Sequence, residues 1–337
     1  MNIKSLLLGS AAALAAVTGA QAADAIVAAE PEPLEYVRVC DAFGTGYFYI
    51  PGTETCLKIG GYVRFQVDIG DATNSYNGND WDAWTRGRLE VTSKSDTELG
   101  TLTGFIAIHG ESSRDNSGAS SSDRFYFDEV YLSLGGFKAG TYLNWWDKGI
   151  NGETDANAGG ANTRWTSVAY TYTGDAFSAG LQLDEITDTI AGPGDSQGVG
   201  VEAIVSAKFG SVAVDLLGSY DIEAEEGAVR LLASAPVGPG TLQGFVIWSS
   251  DVSAYYNGNL SGEWAVAASY AIKATDKLTI TPGFQYVWDS YRFNDDDWRA
   301  GVTLDYAITS GLAFKGTVNY QDQPDAWTGF VRLQRTF

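Results

Sequence analysis

Histidine, methionine and cysteine are nearly absent from the 337-residue sequence, which contains one His, one Met and two Cys. A single histidine, His109, excludes a zinc site with several histidine ligands. Basic residues are scarce too: 21 Lys and Arg stand against 42 Asp and Glu, and the net charge of −21 argues against nucleic-acid binding. We expect no metal, no cofactor and no nucleic-acid partner.

Long hydrophobic runs are missing, apart from one near the beginning of the sequence. Residues 1–22, MNIKSLLLGSAAALAAVTGAQA, contain an early Lys4, an apolar run over residues 6–17 and a small-x-small ending at residues 20–22. The run is too short to span a bilayer as a helix. The pattern is typical of a secretory signal peptide removed before Ala23, so we expect an exported protein.

The two cysteines, Cys40 and Cys56, lie in an N-terminal segment, residues 23–56, whose Pro and Gly content predicts irregular structure. An exported chain meets an oxidising compartment, in which two cysteines can form a disulfide. The lack of any other thiol disfavours a metal cluster or a redox-active dithiol. We therefore predict a disulfide between Cys40 and Cys56.

Glycine and aromatic residues, by contrast, are abundant: 40 Gly, 18 Tyr, 15 Phe and 10 Trp favour β structure. From Leu57 the sequence LKIGGYVRFQVDIG alternates between apolar and polar residues. This period of two recurs as far as Phe337 and predicts about sixteen strands. Their predicted spans are 57–69, 83–95, 99–110, 123–135, 137–146, 164–173, 176–187, 199–209, 211–221, 228–236, 241–250, 260–272, 278–289, 297–309, 312–320 and 326–337.

The connections between the predicted strands alternate between short and long ones. Short connections include Gly-Gly at 135–136 and Ser-Gly at 310–311, whereas residues 111–122 and 147–163 form long ones. Strands of roughly ten residues joined in this way are typical of an up-and-down barrel in an outer membrane. We therefore predict an all-β, antiparallel transmembrane barrel over residues 57–337, surrounded by outer-membrane lipid and lipopolysaccharide, with residues 23–56 in the periplasm.

Aromatic residues mark both rims of the predicted barrel. All ten tryptophans fall beside long connections, so we expect them to form an aromatic girdle at one membrane interface. Phe337 lies at the other rim, in the strand that must pair with the first one, because an open edge in lipid leaves backbone amides unsatisfied. A terminal aromatic after alternating residues also resembles the signal that the barrel-assembly machinery of Gram-negative bacteria reads. We predict that Phe337 is this assembly signal.

Three stretches of the sequence resemble one protein family. YVRVCDAFGTGYFYIPGTETCLKIGGYVRFQVDIG (residues 36–70), TYLNWWDKGING (141–152) and VRLQRTF (331–337) are similar to the porins of alphaproteobacteria such as the Rhizobium and Brucella groups. The resemblance covers essentially the whole mature chain. It implies a homotrimeric, sixteen-stranded general diffusion porin, a water-filled channel for ions and small hydrophilic solutes whose third loop folds into the pore.

Residues 147–163, DKGINGETDANAGGANT, follow the fifth predicted strand, and we predict that they form this constricting loop. Three acidic residues would face the pore: Asp147, Glu153 and Asp155. Inward positions on the strands next to the closure predict a basic wall of Lys58, Arg64, Arg86, Arg88, Lys315 and Arg332. A loop and a wall of opposite charge would set up a transverse field across the pore. Because positive and negative charges along the lumen nearly balance, the carboxylates of the loop and of the mouth decide the selectivity. We therefore expect a modest cation preference.

The sequence leaves alternatives open. The loop at residues 147–163 could be a solvated excursion, as acidic, Gly-rich external loops often are. A substrate-specific sugar channel would need an aromatic ladder along the lumen. A secreted β-sandwich or lectin would lack the regular alternation of connections. An outer-membrane hydrolase with paired carboxylates would need a nucleophile and a base, and we find no such constellation, so we do not expect an enzyme.

Overall fold

The computed structural model describes residues 38–74, 79–113, 123–155, 163–187, 197–258 and 260–337. The chain divides into two units, Met1–Arg38 and Val39–Phe337, and every element discussed below belongs to the second. The predicted signal peptide, residues 1–22, and residues 23–37 lie outside the described residues.

The described residues form seventeen β-strands and a short 3-10 helix, Trp145–Asp147. A two-residue strand, β1 (Phe48–Tyr49), precedes sixteen longer ones, which agree with the predicted strands in number and order. The longer strands are β2 (Cys56–Asn74), β3 (Asn79–Thr97), β4 (Gly100–Ser113), β5 (Arg124–Leu134), β6 (Phe137–Leu143), β7 (Arg164–Thr173), β8 (Phe177–Thr187), β9 (Gln197–Phe209), β10 (Val212–Asp221), β11 (Glu226–Val237), β12 (Gly240–Ser249), β13 (Gly262–Lys273), β14 (Leu278–Ser290), β15 (Asp297–Thr309), β16 (Leu312–Gln321) and β17 (Ala326–Thr336). In the part of the chain that the structure describes, no helix is long and apolar enough to cross a membrane.

The sheet closes on itself through the pairing of β17 with β2. Val331 lies opposite Val67 and Leu333 opposite Phe65 across this seam, and the strands run antiparallel, as in every other pairing of the barrel. Closure satisfies the backbone groups of the edge strands, which a membrane interior requires. Over the described residues the fold is therefore a closed antiparallel barrel of sixteen strands, as predicted.

Alternation along the strands separates the outer and inner faces of the barrel. On β2, Ile59, Val63 and Phe65 are exposed on the outer face, whereas Gln66 is buried inside. An apolar outer face around a polar interior is the reverse of the arrangement in a water-soluble protein. It is the arrangement that a membrane-crossing barrel needs.

Short turns of two to four residues close one rim of the barrel. Gly135, between β5 and β6, and Gly311, between β15 and β16, have φ angles of +57° and +72°. Side chains other than glycine are strained in this left-handed region, which explains glycine at these turns. The long connections therefore all leave the opposite rim.

The tryptophans do not form a single girdle, and this prediction was wrong for four of them. Six lie on the outer face near the long connections: Trp81, Trp248, Trp264, Trp288, Trp298 and Trp327. The other four, Trp84, Trp145, Trp146 and Trp165, lie inside the barrel, where Trp146 is 1% exposed and Trp165 5%. Proximity to a long connection does not determine which face a residue occupies, because one step along a strand reverses the face.

One side of the barrel interior contains a hydrophobic core. Inward side chains of β7, β8 and β10 to β14 pack there against two loops. These are the third loop, residues 144–163 (described except for 156–162), and the inner loop, residues 250–261 (described except for 259). The remaining lumen lies beside β2 to β5 and β15 to β17, whose inward side chains are largely polar or charged.

Candidate functional site

The third loop begins where β6 ends, at Leu143, three residues earlier than its predicted strand. Asn144 caps the 3-10 helix, since its Oδ1 accepts a hydrogen bond from Trp146 N at 3.1 Å. Asn144 N donates to Thr163 O at 2.7 Å, and Thr163 Oγ1 donates to Asp147 Oδ1 at 2.8 Å. These bonds join the two ends of the loop, so Asp147 lies at its base.

Arg230, on β11, fixes the first turn of the third loop. Its Nη2 donates to Trp145 O at 2.9 Å and its Nη1 to Trp146 O at 3.2 Å, while the guanidinium lies 4.9 Å from the centre of the Trp146 ring. Lys148 forms an ion pair with Asp215 of β10. The loop is thus attached first to the wall formed by β10 and β11.

The third loop then crosses the interior towards β16. Asn151 N donates to Gln243 Oε1 of β12 at 2.6 Å, and Glu153 N donates to Thr303 Oγ1 of β15 at 2.9 Å. Finally, Lys315 Nζ on β16 donates to Glu153 Oε1 at 2.7 Å. Contacts with β10, β11, β12, β15 and β16 show that the loop lies inside the barrel and is not a solvated excursion.

The three predicted acidic residues have different surroundings. Glu153 reaches the basic wall through Lys315. Asp147 is bonded to Thr163 at the loop base. Asp155 turns back towards its own loop, where its Oδ2 accepts from Ile150 N at 2.9 Å. Burial raises the pKa of Asp155 to about 7, although that hydrogen bond lowers it.

Arg64 and Arg332 lie side by side at the seam between β2 and β17. Arg64 Nε donates to Gln334 Oε1 at 2.9 Å, and Arg332 Nε donates to Gln66 Oε1 at 2.6 Å. Among the described residues, neither guanidinium forms an ion pair with a carboxylate. Both lie within electrostatic range of Glu153. These two arginines and Lys315 are therefore the predicted wall residues that face the third loop.

Arg86 and Arg88 belong to a separate network in which four arginines meet four carboxylates. Arg88 Nη2 donates to Glu129 Oε1 at 2.9 Å, and Arg88 also contacts Glu90 and Asp128. The network comprises Arg86, Arg88, Arg124, Arg164, Glu90, Glu111, Asp128 and Glu129. Arg86 and Arg88 are thus paired with carboxylates of the wall itself, and not with the third loop as predicted from the sequence.

A β-bulge explains why this network was missed. The register between β4 and β5 shifts between Ala107 and Ile108: Ala107 lies opposite Glu129, but Ile108 lies opposite Phe127. The extra residue, Asp128, allows both Asp128 and Glu129 to reach Arg88. Strict alternation assigns adjacent residues to opposite faces, so it cannot predict two inward carboxylates in succession.

Lys58 lies near the rim of short turns, beside the disulfide between Cys40 and Cys56. Its Nζ is 5.7 Å from the centre of the Tyr47 ring, and Tyr47 packs with both cysteines in a small buried cluster. Lys94, also inward on β3, contacts the same ring at 5.7 Å. The structure therefore associates Lys58 with the N-terminal segment and not with the third loop.

A closed barrel with an apolar outer face, a charged lumen and a loop folded inside it defines an outer-membrane channel. The chain belongs to the porin family that is described as the Porin subfamily, whose family model matches residues 24–336.

Several known proteins are similar to this chain. "Putative outer membrane protein y4fJ" of Sinorhizobium fredii (strain NBRC 101917 / NGR234) is 53% identical, with 100% of this chain and 99% of that protein covered. "Porin Omp2b" of Brucella neotomae is 36% identical, with 100% of each chain covered. A solved trimer form of OmpT, an outer membrane protein of Vibrio cholerae, has a TM-score of 0.60 at 14% identity, covers 85% of this chain and 100% of its own, and shows the fold alone.

The protein is thus a general diffusion channel that crosses the outer membrane as a multi-stranded β-barrel. This confirms the function, the location and the alphaproteobacterial family expected from the sequence. Membership of the family indicates a channel and not an enzyme.

Proposed function

We propose that the third loop forms the constriction of the channel and that Glu153 provides its principal acidic charge. Glu153 faces Lys315 directly, and Arg64 and Arg332 lie in its field. The observation that carries this proposal is the course of the loop from β6 across to β16. A transverse field between Glu153 and the cations would orient water and dipolar solutes and would disfavour apolar ones.

The charge balance supports a modest cation preference, which stays a prediction. The arginine and carboxylate network beside β3 to β5 is balanced internally, so it contributes little net field. At the constriction, Glu153 and partly ionised Asp155 face the cations Lys315, Arg64 and Arg332. A cation preference therefore depends on the acidic mouth, in a chain whose net charge is −21. At physiological ionic strength the Debye length is about 8 Å, so salt screens the charges of the mouth more than those of the constriction.

Substitution of Glu153 by Gln tests this proposal. At about 6 Å, a unit charge in water changes the free energy of a passing cation and of a passing anion by roughly 0.7 kcal/mol each, with opposite signs, which is about tenfold in permeability ratio. We therefore expect Glu153→Gln to shift the reversal potential of a planar bilayer in a KCl gradient towards anions by about that ratio. The matched control is Glu98→Gln, in the exposed turn between β3 and β4 at the opposite rim. Equal reversal potentials for Glu153→Gln and wild type would contradict the proposal.

We also propose that the protein is a homotrimer and that the barrel-assembly machinery inserts it. The trimer form of OmpT supports the first proposal by likeness of fold. Native mass spectrometry of protein extracted in mild detergent tests it, and a monomer at all concentrations would count against a trimer.

A further inference from the structure

The inner loop, residues 250–261, also folds into the barrel. Ala254, Tyr255, Tyr256 and Leu260 are each 0–1% exposed. The predicted strands leave residues 251–259 as another long connection. A loop with four fully buried apolar or aromatic side chains instead contributes to a packed core.

Hydrogen bonds hold the inner loop to the barrel wall at three strands. Ala254 N donates to Asp221 Oδ2 of β10 at 2.9 Å. Tyr255 OH donates to Asp184 Oδ2 of β8 at 2.6 Å. Burial, with Asp184 beside it, raises the pKa of the Tyr255 hydroxyl, which keeps it a donor. On the far side, Gln285 Nε2 of β14 donates to Leu260 O at 3.2 Å.

The wall contains a space that fits Tyr255. A Cβ atom built on Gly200 of β9 would lie 2.0 Å from the Tyr255 hydroxyl oxygen and 2.6 Å from Cζ. Any side chain larger than hydrogen at this position would therefore displace Tyr255. The fit shows that the strand and the loop are matched to each other.

The inner loop contacts the third loop directly. The ring centres of Tyr256 and Trp146 are 6.0 Å apart, and the same buried cluster includes Ile150. Trp146 is the residue whose carbonyl and ring are held by Arg230. The third loop is thus packed between the inner loop on one side and the wall of β10 and β11 on the other.

We propose that Tyr255 and Tyr256 are positioning residues of the constriction: the inner loop fixes the place of the third loop, and with it the width and the charge of the pore. This inference rests on the proposed function of the third loop. Tyr256 acts through Trp146, and Tyr255 acts by fixing the inner loop on β8. A third loop released from this packing would sample several positions and would hold Glu153 less firmly against Lys315.

The first measurement is single-channel conductance of Tyr256→Ala, with the folded barrel verified by its mobility on unboiled gels. We expect conductance to rise by about half or more, with larger current fluctuations in the open state. Tyr255→Phe, which keeps the ring and loses only the hydrogen bond, should show a smaller change in the same direction. Folded Tyr256→Ala and Tyr255→Phe channels with wild-type conductance and noise would overturn the inference.

A matched pair of glycine substitutions provides a second route if Tyr256→Ala does not assemble. Gly200→Ala should displace Tyr255 and raise conductance. Gly218→Ala, on neighbouring β10, should leave conductance unchanged, because the nearest side-chain atom to its Cβ is Val229 Cγ2 at 4.0 Å. Equal conductance of the two folded variants would contradict the fit of Tyr255 to Gly200.

A double-mutant cycle separates this inference from the proposed function. Glu153→Gln is measured in the wild type and in Tyr256→Ala. If the inner loop positions the constriction, the shift in reversal potential should fall to about half or less in Tyr256→Ala. An equal shift in both backgrounds would overturn the inference alone, whereas no shift in the wild type would overturn the proposed function and the inference with it.

Discussion

Asp155 illustrates how the charge of one residue depends on the packing of a loop. Its pKa is raised to about 7 by burial, from an ordinary value of about 3.9. At a pH between these two values, Asp155 is protonated in the packed loop but ionised in a loop released from its packing. The free energy that favours the packed loop therefore falls as pH rises from about 4 to about 7 and is constant above that.

We predict that selectivity titrates with Asp155. As pH rises from 5 to 9, ionisation adds a negative charge beside Glu153, so the cation preference should increase with a midpoint near the Asp155 pKa of about 7. Reversal potentials measured across this range provide the test. Asp155→Asn should remove the step, whereas Asp147→Asn, in the same loop, should retain it. A step of unchanged midpoint and size in Asp155→Asn would assign the titration to another group.

At the scale of strands, the β-bulge in β5 decides which arginines are neutralised. Asp128 is 2% exposed in its side chain and contacts both Arg88 and Arg164, whereas Glu90, with 36% exposure, contacts Arg88 alone. The two carboxylates carry the same charge in one network but differ in burial. Their substitution therefore separates an effect of charge from an effect of buried pairing.

We predict that Asp128→Asn and Glu90→Gln shift the reversal potential towards anions by similar amounts. Only Asp128→Asn should also destabilise the barrel, by about 1–3 kcal/mol, since it removes a buried carboxylate that pairs with both Arg88 and Arg164. The measurement is the temperature at which the folded species disappears on unboiled gels. Equal losses of stability in both variants would mean that the buried pairing contributes nothing extra.

The strands were predictable from the sequence because a barrel in lipid imposes one strict period. The apolar residues Ile59, Val63 and Phe65 of β2 show this period of two, and the Gly-Gly and Ser-Gly turns mark the ends of strands. The interior was only partly predictable. Arg64, Lys315 and Arg332 follow from parity and closure, and Glu153 follows from the resemblance that implies an inward third loop, but the bulge at Asp128 breaks parity. Loops have no period at all, so the burial of Tyr255 could not be read from its neighbours.

At the scale of the molecule, closure depends on a few residues at the seam. Gly61 N donates to Phe337 O at 3.2 Å, and Phe337 N donates to Gly61 O at 3.1 Å, while the Phe337 side chain is 59% exposed at the rim of short turns. The residue thus combines two backbone bonds of the seam with an aromatic group available to membrane or assembly factors.

We predict that Phe337→Asp lowers the cellular yield of folded barrel severalfold, whereas Phe337→Tyr does not. Phe209→Asp is the matched control, since Phe209 is exposed on the same rim but lies in β9, away from the seam. Yield is read as heat-modifiable protein in outer-membrane fractions. Equal losses for Phe337→Asp and Phe209→Asp would indicate a general cost of charge at the rim and no special role for Phe337 in assembly.

The seam also has a consequence for the time course of folding. Arg64 and Gln334, which are hydrogen-bonded across it, are 270 residues apart in sequence. Bringing such distant segments together from a flexible chain costs roughly 5 kcal/mol of loop-closure entropy, which no local contact offsets in advance. Until the intervening hairpins have formed, both free edges stay unpaired and prone to pairing with other chains. We therefore expect closure to be a late step of folding, and substitutions at the seam to slow the formation of the barrel more than they shorten the lifetime of the finished barrel.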